Sequence, residues 1–352
     1  MSHSSESRVV RVALDAMGGD FAPVNEVAGA VAAMRDRDPS SFEIVFVGRE
    51  SDIKAELAKH DTKGLNYSIV NATDVIGMHD DPASVYRSRR ESSLFKGIEL
   101  QEKGYVDAFM SAGNTGAVMS VATLALGRIK GVSRPTIGSF IPTSKNGHTL
   151  VLDVGANVDS KPRFLYEFAV MGSIYTRRIR SISLPRVGLL NIGEERNKGS
   201  ETVLKAHELL EQSSLEFIGN VEGGDILNGH ADVVVCDGFT GNIVLKFAES
   251  FLTLFKAKVR TFAERGLLNK LAVAAIRPIL KRILTGLDYE EYGGVPLLGV
   301  NGVVIIGHGR NSARAMHNAL LLAENVVKNK INDHIHNALN PPSLSQVSYE
   351  KS

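Results

Sequence analysis

The stretch that most constrains this chain is Ala231–Glu249, ADVVVCDGFTGNIVLKFAE. Ala231–Cys236 is short, β-branched and almost wholly apolar, the composition of a strand buried on both faces. Asp237-Gly238 and Phe239–Asn242 follow, and from Ile243 the spacing of Val244, Leu245, Phe247 and Ala248 is helical. A strand that enters a helix through a glycine loop puts that loop at the carboxyl end of the strand. There the first N–H groups of the helix are unpaired and suit a phosphate.

The same unit recurs. Val9–Leu14 reads as a strand, followed by Asp15-Ala16-Met17-Gly18-Gly19-Asp20, Pro23 and a helix over Val24–Met34. Strands over Glu43–Val47 and Asn66–Val70 enclose a helix over Asp52–Lys59. Val106–Ser111 is a strand running into Ala112-Gly113-Asn114-Thr115-Gly116 and a small, apolar helix over Ala117–Leu126. Asp153 and Asn157 stand where another apolar run, His148–Gly155, ends. Arg186–Ile192 is a strand ending in Gly193-Glu194-Glu195-Arg196-Asn197-Lys198-Gly199, followed by a helix over Thr202–Glu211 and a short strand over Glu216–Gly219. Gly302–Ile306 is a strand before Gly307-His308-Gly309-Arg310, and Ala313–Lys328 a helix whose periodicity fades near Asn332. Gly293–Gly299 reads as a flexible glycine- and proline-rich return. This alternation predicts a three-layer α/β/α sandwich with a mostly parallel sheet.

The loops divide into functional and bland readings. Gly113–Gly116 and Gly238–Asn242 are anion cradles or plain turns, and the pair together favours cradles. Lys198 is a phosphate or oxyanion donor, or a surface partner of Glu195. His308 is a crevice imidazole, or an exposed ring in a glycine turn. Gly77–Arg90, with Arg87, Arg89 and Arg90, is a helix start near an anion, or a solvated face.

The character changes after the central unit. Between Lys256 and Arg282 stand eight basic residues and one acidic residue, Glu264, so this segment carries +7 against +1 for the whole chain. Leu267, Leu268, Leu271, Ala275, Ile279, Ile283 and Leu284 repeat at helical spacing, with Lys270, Arg277 and Lys281 on one face and Pro278 expected to kink or divide the helix. A helix of this kind suits an anionic bilayer surface or an acidic partner, and the bland reading is a helix packed on the core or on a twin subunit.

Composition removes several classes. The near-neutral charge and the absence of Trp argue against a nucleic-acid binder. The one cysteine, Cys236, excludes an intrachain disulfide and fits a reducing cytosol. No apolar run of about 18 residues is present, and the amino terminus lacks a hydrophobic signal core. No dinucleotide, P-loop or serine-nucleophile motif occurs, and no Cys/His cluster has metal spacing, so neither cofactor nor metal is expected.

Asp15–Asp20 with Pro23, Ser111–Ala117, Asp153-Val154-Gly155-Ala156-Asn157, Asn191–Glu195 with Lys198-Gly199, and Asp237–Asn242 with Leu245-Lys246 together resemble the bacterial phosphate acyltransferases that begin phospholipid synthesis. The resemblance runs from about Val9 to Val327, while residues 1–7 and the Thr143–His148 loop depart from it. It implies an isocitrate dehydrogenase- or phosphotransacetylase-like fold and reversible transfer of a long fatty acyl group from acyl carrier protein to inorganic phosphate. It further implies a homodimer, cytoplasmic and peripherally bound to membrane, whose acyl-phosphate feeds a glycerol-3-phosphate acyltransferase.

On this reading residues 1–8 are a flexible extension, 9–337 a single catalytic domain with an inserted helical hairpin over 250–292, and 338–352 a flexible tail. Lys198, Asp237 and His308 are the expected catalytic residues, with Asp237 orienting Lys198 or steering a proton. Asp15, Gly113, Asn114, Thr115, Gly116, Asp153, Asn157, Asn191, Gly238, Thr240, Gly241, Asn242 and Lys246 are the expected phosphate or substrate contacts. Lys270, Leu271, Arg277, Ile279, Lys281 and Arg282 are expected to touch carrier protein or membrane. The rivals are a short-chain acyl-coenzyme A phosphotransacylase and a non-catalytic membrane-associated scaffold.

Overall fold

The structure, a computed structural model, describes residues 8–285, 291 and 293–341, and at 83, 252 and 280–285 the backbone alone. The expected extension (but for Arg8), the tail beyond residue 341, residues 286–290 of the hairpin and the side chains of Lys281 and Arg282 lie outside the described residues.

The chain begins β1 (Val10–Asp15), α1 (Val24–Arg35), β2 (Phe42–Gly48), α2 (Glu50–Leu57) and β3 (Tyr67–Asn71). It continues α3 (Pro82–Ser88), α4 (Ser93–Glu102), β4 (Ala108–Ser111), α5 (Thr115–Ala125) and β5 (Thr136–Pro142). Then come β6 (His148–Leu152), α6 (Pro162–Ile179), β7 (Arg186–Leu190), α7 (Glu201–Glu211), β8 (Glu216–Val221), α8 (Gly223–Asn228) and β9 (Val233–Val235). The last elements are α9 (Gly238–Glu264), α10 (Leu267–Thr285), β10 (Gly294–Leu298), β11 (Val303–Gly307), α11 (Ala313–Lys328) and α12 (Ile331–Leu339).

These elements pack into two compact units. Among the described residues, the first holds 8–137, 174–183 and 293–341, and the second 138–173, 184–285 and 291. In the first, β3, β2, β1, β4 and β11 lie side by side and parallel, and β10 runs antiparallel to β11 and to the first two residues of β5. Helix α4 packs on β1, β2 and β4, and α11 on β1, β4, β10 and β11. Phe42, Phe46, Phe109, Leu14 and Ile44 are fully buried here, as parallel strands covered on both faces require. In the second unit β5 pairs antiparallel with β6, and β6, β9, β7 and β8 then run parallel.

Helix starts follow one chemical rule. Ser92, Asn114, Ser200, Asp237 and Ser312 each accept a hydrogen bond from the amide three residues on, supplying an acceptor to a first-turn N–H that has no partner within the helix.

Three expectations are corrected. Gly293–Gly299 is no flexible return: Gly294–Leu298 forms β10, with Pro296 opposite Ile305 in the antiparallel ladder. The chain does not fade after Asn332; Ile331 and Ile335 are buried and anchor α12. Of the two outcomes expected at Pro278, a kink or a division, the division is excluded, since the proline lies inside an unbroken α10.

Helices α9 and α10 pack on each other as a hairpin turning at Gly266. Its first arm begins at Gly238, well before residue 250, because Asp237 caps the helix there. Along α9, Phe239, Ile243, Phe247 and Phe251 repeat every fourth residue and are all exposed, Phe247 by 72%. On α10, Leu267, Leu268, Leu271 and Ile279 are exposed as well.

The first turn of α9 is pressed against the end of β6. A Cβ on Gly241 would lie 1.9 Å from the Asp153 carbonyl oxygen and 2.9 Å from Cys236 Sγ. Backbone cannot yield as a side-chain tip does, so Gly241→Ala is expected to destabilise the protein by about 2 kcal/mol or more, read from the urea midpoint at an unchanged m-value.

Candidate active site

In the first unit, the carboxyl ends of β1 and β4 are joined by side chains. Asp15, 2% exposed, accepts a hydrogen bond from Ser111 Oγ at 2.7 Å and from the Met17 amide at 3.1 Å. Ser111 Oγ in turn accepts from the Gly113 amide at 3.0 Å. Burial raises the Asp15 carboxyl above its ordinary range, against hydrogen bonds from Ser93, Ser111 and Met17 that favour the charged form. Gly18 is required by this arrangement, since a Cβ there would stand 2.4 Å from Asp15 Oδ2 and 2.7 Å from Ser111 Oγ.

Asn114 serves two elements. Its Oδ1 caps α5 at the Ala117 amide, and its Nδ2 donates to the carbonyls of Met78 and Asp80, each at 3.1 Å, and more weakly to Gly77. The amides of Thr115 and Gly116, at the first turn of α5, have no hydrogen-bond partner among the described residues, and Thr115 is exposed. Open amides at the start of a helix form an anion site. The His308 loop joins the cluster through its backbone: the Asp20 amide donates to the Gly309 carbonyl at 2.8 Å. His308 is exposed, and its Nδ1 accepts from the Arg310 amide at 3.3 Å.

Two of the three arginines that precede α5 are engaged within this unit, while Arg87 is exposed. Arg89 pairs with Asp74 at 2.8 Å and Asp80 at 3.4 Å, and the Arg90 guanidinium lies over the rings of Tyr86 and Phe95.

The second unit holds the other group. Asp153 is fully buried, accepting from the Ala156 amide at 3.1 Å, the Asn157 amide at 2.6 Å and Asn157 Nδ2 at 2.9 Å. Asn242 lies beside Gly155. The sequence casts Gly238–Asn242 as an open cradle, but three of its amides are already bonded: Gly238 to the Asn157 carbonyl, Thr240 to Asp237 Oδ1 and Gly241 to the Asp237 carbonyl. The reason is the Asp237 cap, which turns the supposed loop into helix. Asp237 also accepts from Thr240 Oγ1 at 2.8 Å, so each of its carboxylate oxygens bonds Thr240. Lys246 is paired with Glu249 at 2.8 Å along α9.

Lys198 stands in a loop held by two asparagines. Asn191 Nδ2 donates to the Lys198 carbonyl and Asn220 Nδ2 to the Glu195 carbonyl, each at 2.9 Å. The Lys198 side chain is 47% exposed, with Glu195 at 4.0 Å. Ser111 stands in a motif read from the sequence, whereas Asn220 was missed, its only signal being a polar side chain just past the strand read over Glu216–Gly219. Glu26 was missed as well, because an acid in a first helical turn is ordinary dipole complementation. Here it is buried with Oε2 unpartnered among the described residues. Burial, with Asp15 and Asp20 adding repulsion, pushes its carboxyl from 4.5 to about 7.

The chain matches the family model described as "Fatty acid synthesis protein" over residues 10–334. The phosphate acyltransferase of Dictyoglomus turgidum is 44% identical over 332 residues, covering 94% of this chain and 98% of that protein. That of Synechococcus elongatus is 46% identical over 335 residues, covering 95% of each. Among solved structures, a phosphotransacetylase from Streptococcus pyogenes aligns with a TM-score of 0.61 at 16% identity, over 90% of this chain and 94% of that one. A branched-chain phosphotransacylase from Enterococcus faecalis aligns with a TM-score of 0.57 at 14% identity, over 91% and 99%. The fold is thus the phosphotransacetylase-like α/β/α class. The chain itself belongs to the phosphate acyltransferase family, and it is an acyltransferase.

Glu26 gives the site a measurable signature. Its folded pKa, about 7, lies above the ordinary 4.5, so the stability it contributes is full below 4.5 and is lost as pH rises through about 7. Wild type should lose about 3 kcal/mol relative to Glu26→Gln across that window. Urea unfolding between about pH 5 and pH 8 checks this, and parallel curves for the two proteins would show that Glu26 titrates normally.

Proposed function

We propose that this acyltransferase moves a long fatty acyl group from acyl carrier protein to inorganic phosphate, releasing acyl-phosphate for phospholipid synthesis. The observation that carries the reading is the open first turn of α5, where the Thr115 and Gly116 amides follow the buried Asp15–Ser111–Gly113 chain. In a chain of this family, a preformed anion site is the main thing the chemistry needs. Phosphate dianion is a nucleophile at neutral pH. One of its oxygens bonds to the thioester carbonyl carbon, the carbon–sulfur bond breaks, and the proton of the phosphate passes to the departing sulfur, leaving a free thiol and acyl-phosphate. The protein's task is to hold and aim the phosphate and to stabilise the oxyanion.

In the second unit, Lys198 is the proposed cationic donor, on a loop pinned by Asn191 and Asn220. Asp153 and Asn157 brace the first turn of α9 through Gly238, and His308 is a third candidate on the first unit's loops. The α9–α10 hairpin is proposed as the surface for an acidic carrier protein, an anionic membrane or a second copy of the chain, because its aromatic and leucine stripe is uncovered and Lys270 and Arg277 flank it. Among the described residues no helix is long and apolar enough to cross a membrane.

The deciding experiment is a purified assay for phosphate-dependent release of free carrier protein from palmitoyl-carrier protein, run beside butyryl-coenzyme A. Acyl-phosphate from butyryl-coenzyme A alone would replace the long-chain reading with a short-chain one. Lys198→Ala is expected to lower turnover about 100- to 1000-fold while remaining folded, and near-normal turnover would remove Lys198 from the chemistry. Leu271→Glu should abolish liposome binding. Unchanged turnover in solution would then mark the hairpin as an anchor only, whereas a parallel fall would assign it to the acyl donor.

A further inference from the structure

Glu26 is a buried acid that the proposed chemistry leaves unused. It is 1% exposed, and no cation is paired with it among the described residues. Its Oε1 lies 2.2 Å from the place a Gly19 Cβ would occupy, so the carboxyl packs directly on the Gly18–Gly19 turn. The opposite side of that turn rests on Asp15 and Ser111.

The charged groups around Glu26 are of its own sign. Asp15 ends β1 and Asp20 follows the turn, and both repel it. Arg310, in the β11–α11 loop, approaches Asp20 at 3.8 Å. Helix α11 packs along α1 and carries Arg314 and His317; His317 is held by Asp36 at 2.8 Å. The turn therefore sits among three carboxyl groups, and it is itself two residues without side chains.

We propose that Glu26 is a positioning residue for the anion site at the start of α5: while neutral it lets the Gly18–Gly19 turn close onto Asp15 and Ser111, and its ionisation opens that turn and weakens phosphate binding. The proposal rests on phosphate binding at the loops of the first unit. A negative charge created inside a low-dielectric site next to other acids must move, find a counter-ion or take up a proton. The turn is in direct contact with the carboxyl and has no side chains of its own. Opening it disturbs the Asp15–Ser111–Gly113 chain that leads to α5, and the new charge also repels an incoming dianion.

The test compares wild type with Glu26→Gln by two readouts between about pH 6 and pH 8.5, a range spanning the titration of a buried carboxyl. One is hydrogen exchange of a peptide covering residues 15–22, corrected for the intrinsic pH dependence of exchange. The other is KM for inorganic phosphate. Phosphate itself titrates in this range, equally for both proteins, so the ratio of the two KM profiles isolates Glu26. The expected result is a wild-type turn that loses protection as pH rises and a KM that climbs several-fold more than in the Gln variant, whose turn stays protected. Gly19→Ala, whose methyl would displace the carboxyl, should show an unprotected turn and a raised KM at every pH. Identical exchange and KM profiles for wild type and Glu26→Gln overturn the positioning role even if acyl-phosphate is made. A pH-dependent turn in wild type alone, with no acyl-phosphate formed, supports the positioning role and overturns the activity proposed above.

Discussion

The loops at the carboxyl ends of β1 and β4 hang on one buried hydrogen-bonded chain: Asp15 to Ser111 to the Gly113 amide. It crosses from β1 to β4, which are neighbours in the parallel ladder, and so fixes the two loops that follow them relative to each other. A buried carboxylate is costly unless its oxygens are satisfied. Here Ser111 and Met17 satisfy them, and the reward is positional. The loop after β4 is delivered to the start of α5 with its cap, Asn114, already committed to the 77–80 segment. The Thr115 and Gly116 amides beyond the cap stay open because no carbonyl four residues earlier lies within the helix.

The second unit shows the opposite use of a similar sequence. Asp237-Gly238 looks like a loop, and Gly113-Asn114 looks like its twin. Both caps begin helices and both bond the amides three and four residues on, yet the first amide after Asp237, that of Gly238, is taken by the Asn157 carbonyl, whereas the first after Asn114, that of Thr115, is left open. The difference lies in what lies opposite. Asn157, clamped by the buried Asp153, offers a carbonyl to the α9 turn, while the α5 turn faces the exposed side of Thr115. Anion capacity thus depends on the surroundings of a turn more than on its glycine content.

Much of the fold was readable because parallel strands are announced by apolar runs that end at glycine. The predicted strand over Glu43–Val47 lies inside β2, and the predicted helix over Ala313–Lys328 coincides with α11. What was missed has local causes. Pro296 and two glycines hide β10, since proline and glycine usually end strands and an antiparallel partner is invisible in local sequence. Helix α12 begins at Ile331, right after Lys330, which adopts a left-handed conformation, so the helical period is interrupted just where a new helix starts. In the site, Asp15, Ser111 and Asn114 stand in quoted motifs, but the role of Glu26 depends on burial against Gly19, a contact across the β1–α1 turn that no spacing reveals.

Helix α9 has 27 residues without a break, a rod about 40 Å long. Its root is clamped at Asp237, Gly238 and Gly241, and its far end carries the hairpin turn. A rod with no hinge cannot absorb a push locally. Tilting the clamp by about 5° would swing the tip about 3–4 Å at that length. Whatever seats itself on the distal leucines therefore acts with mechanical advantage on the β6 and β9 strand ends.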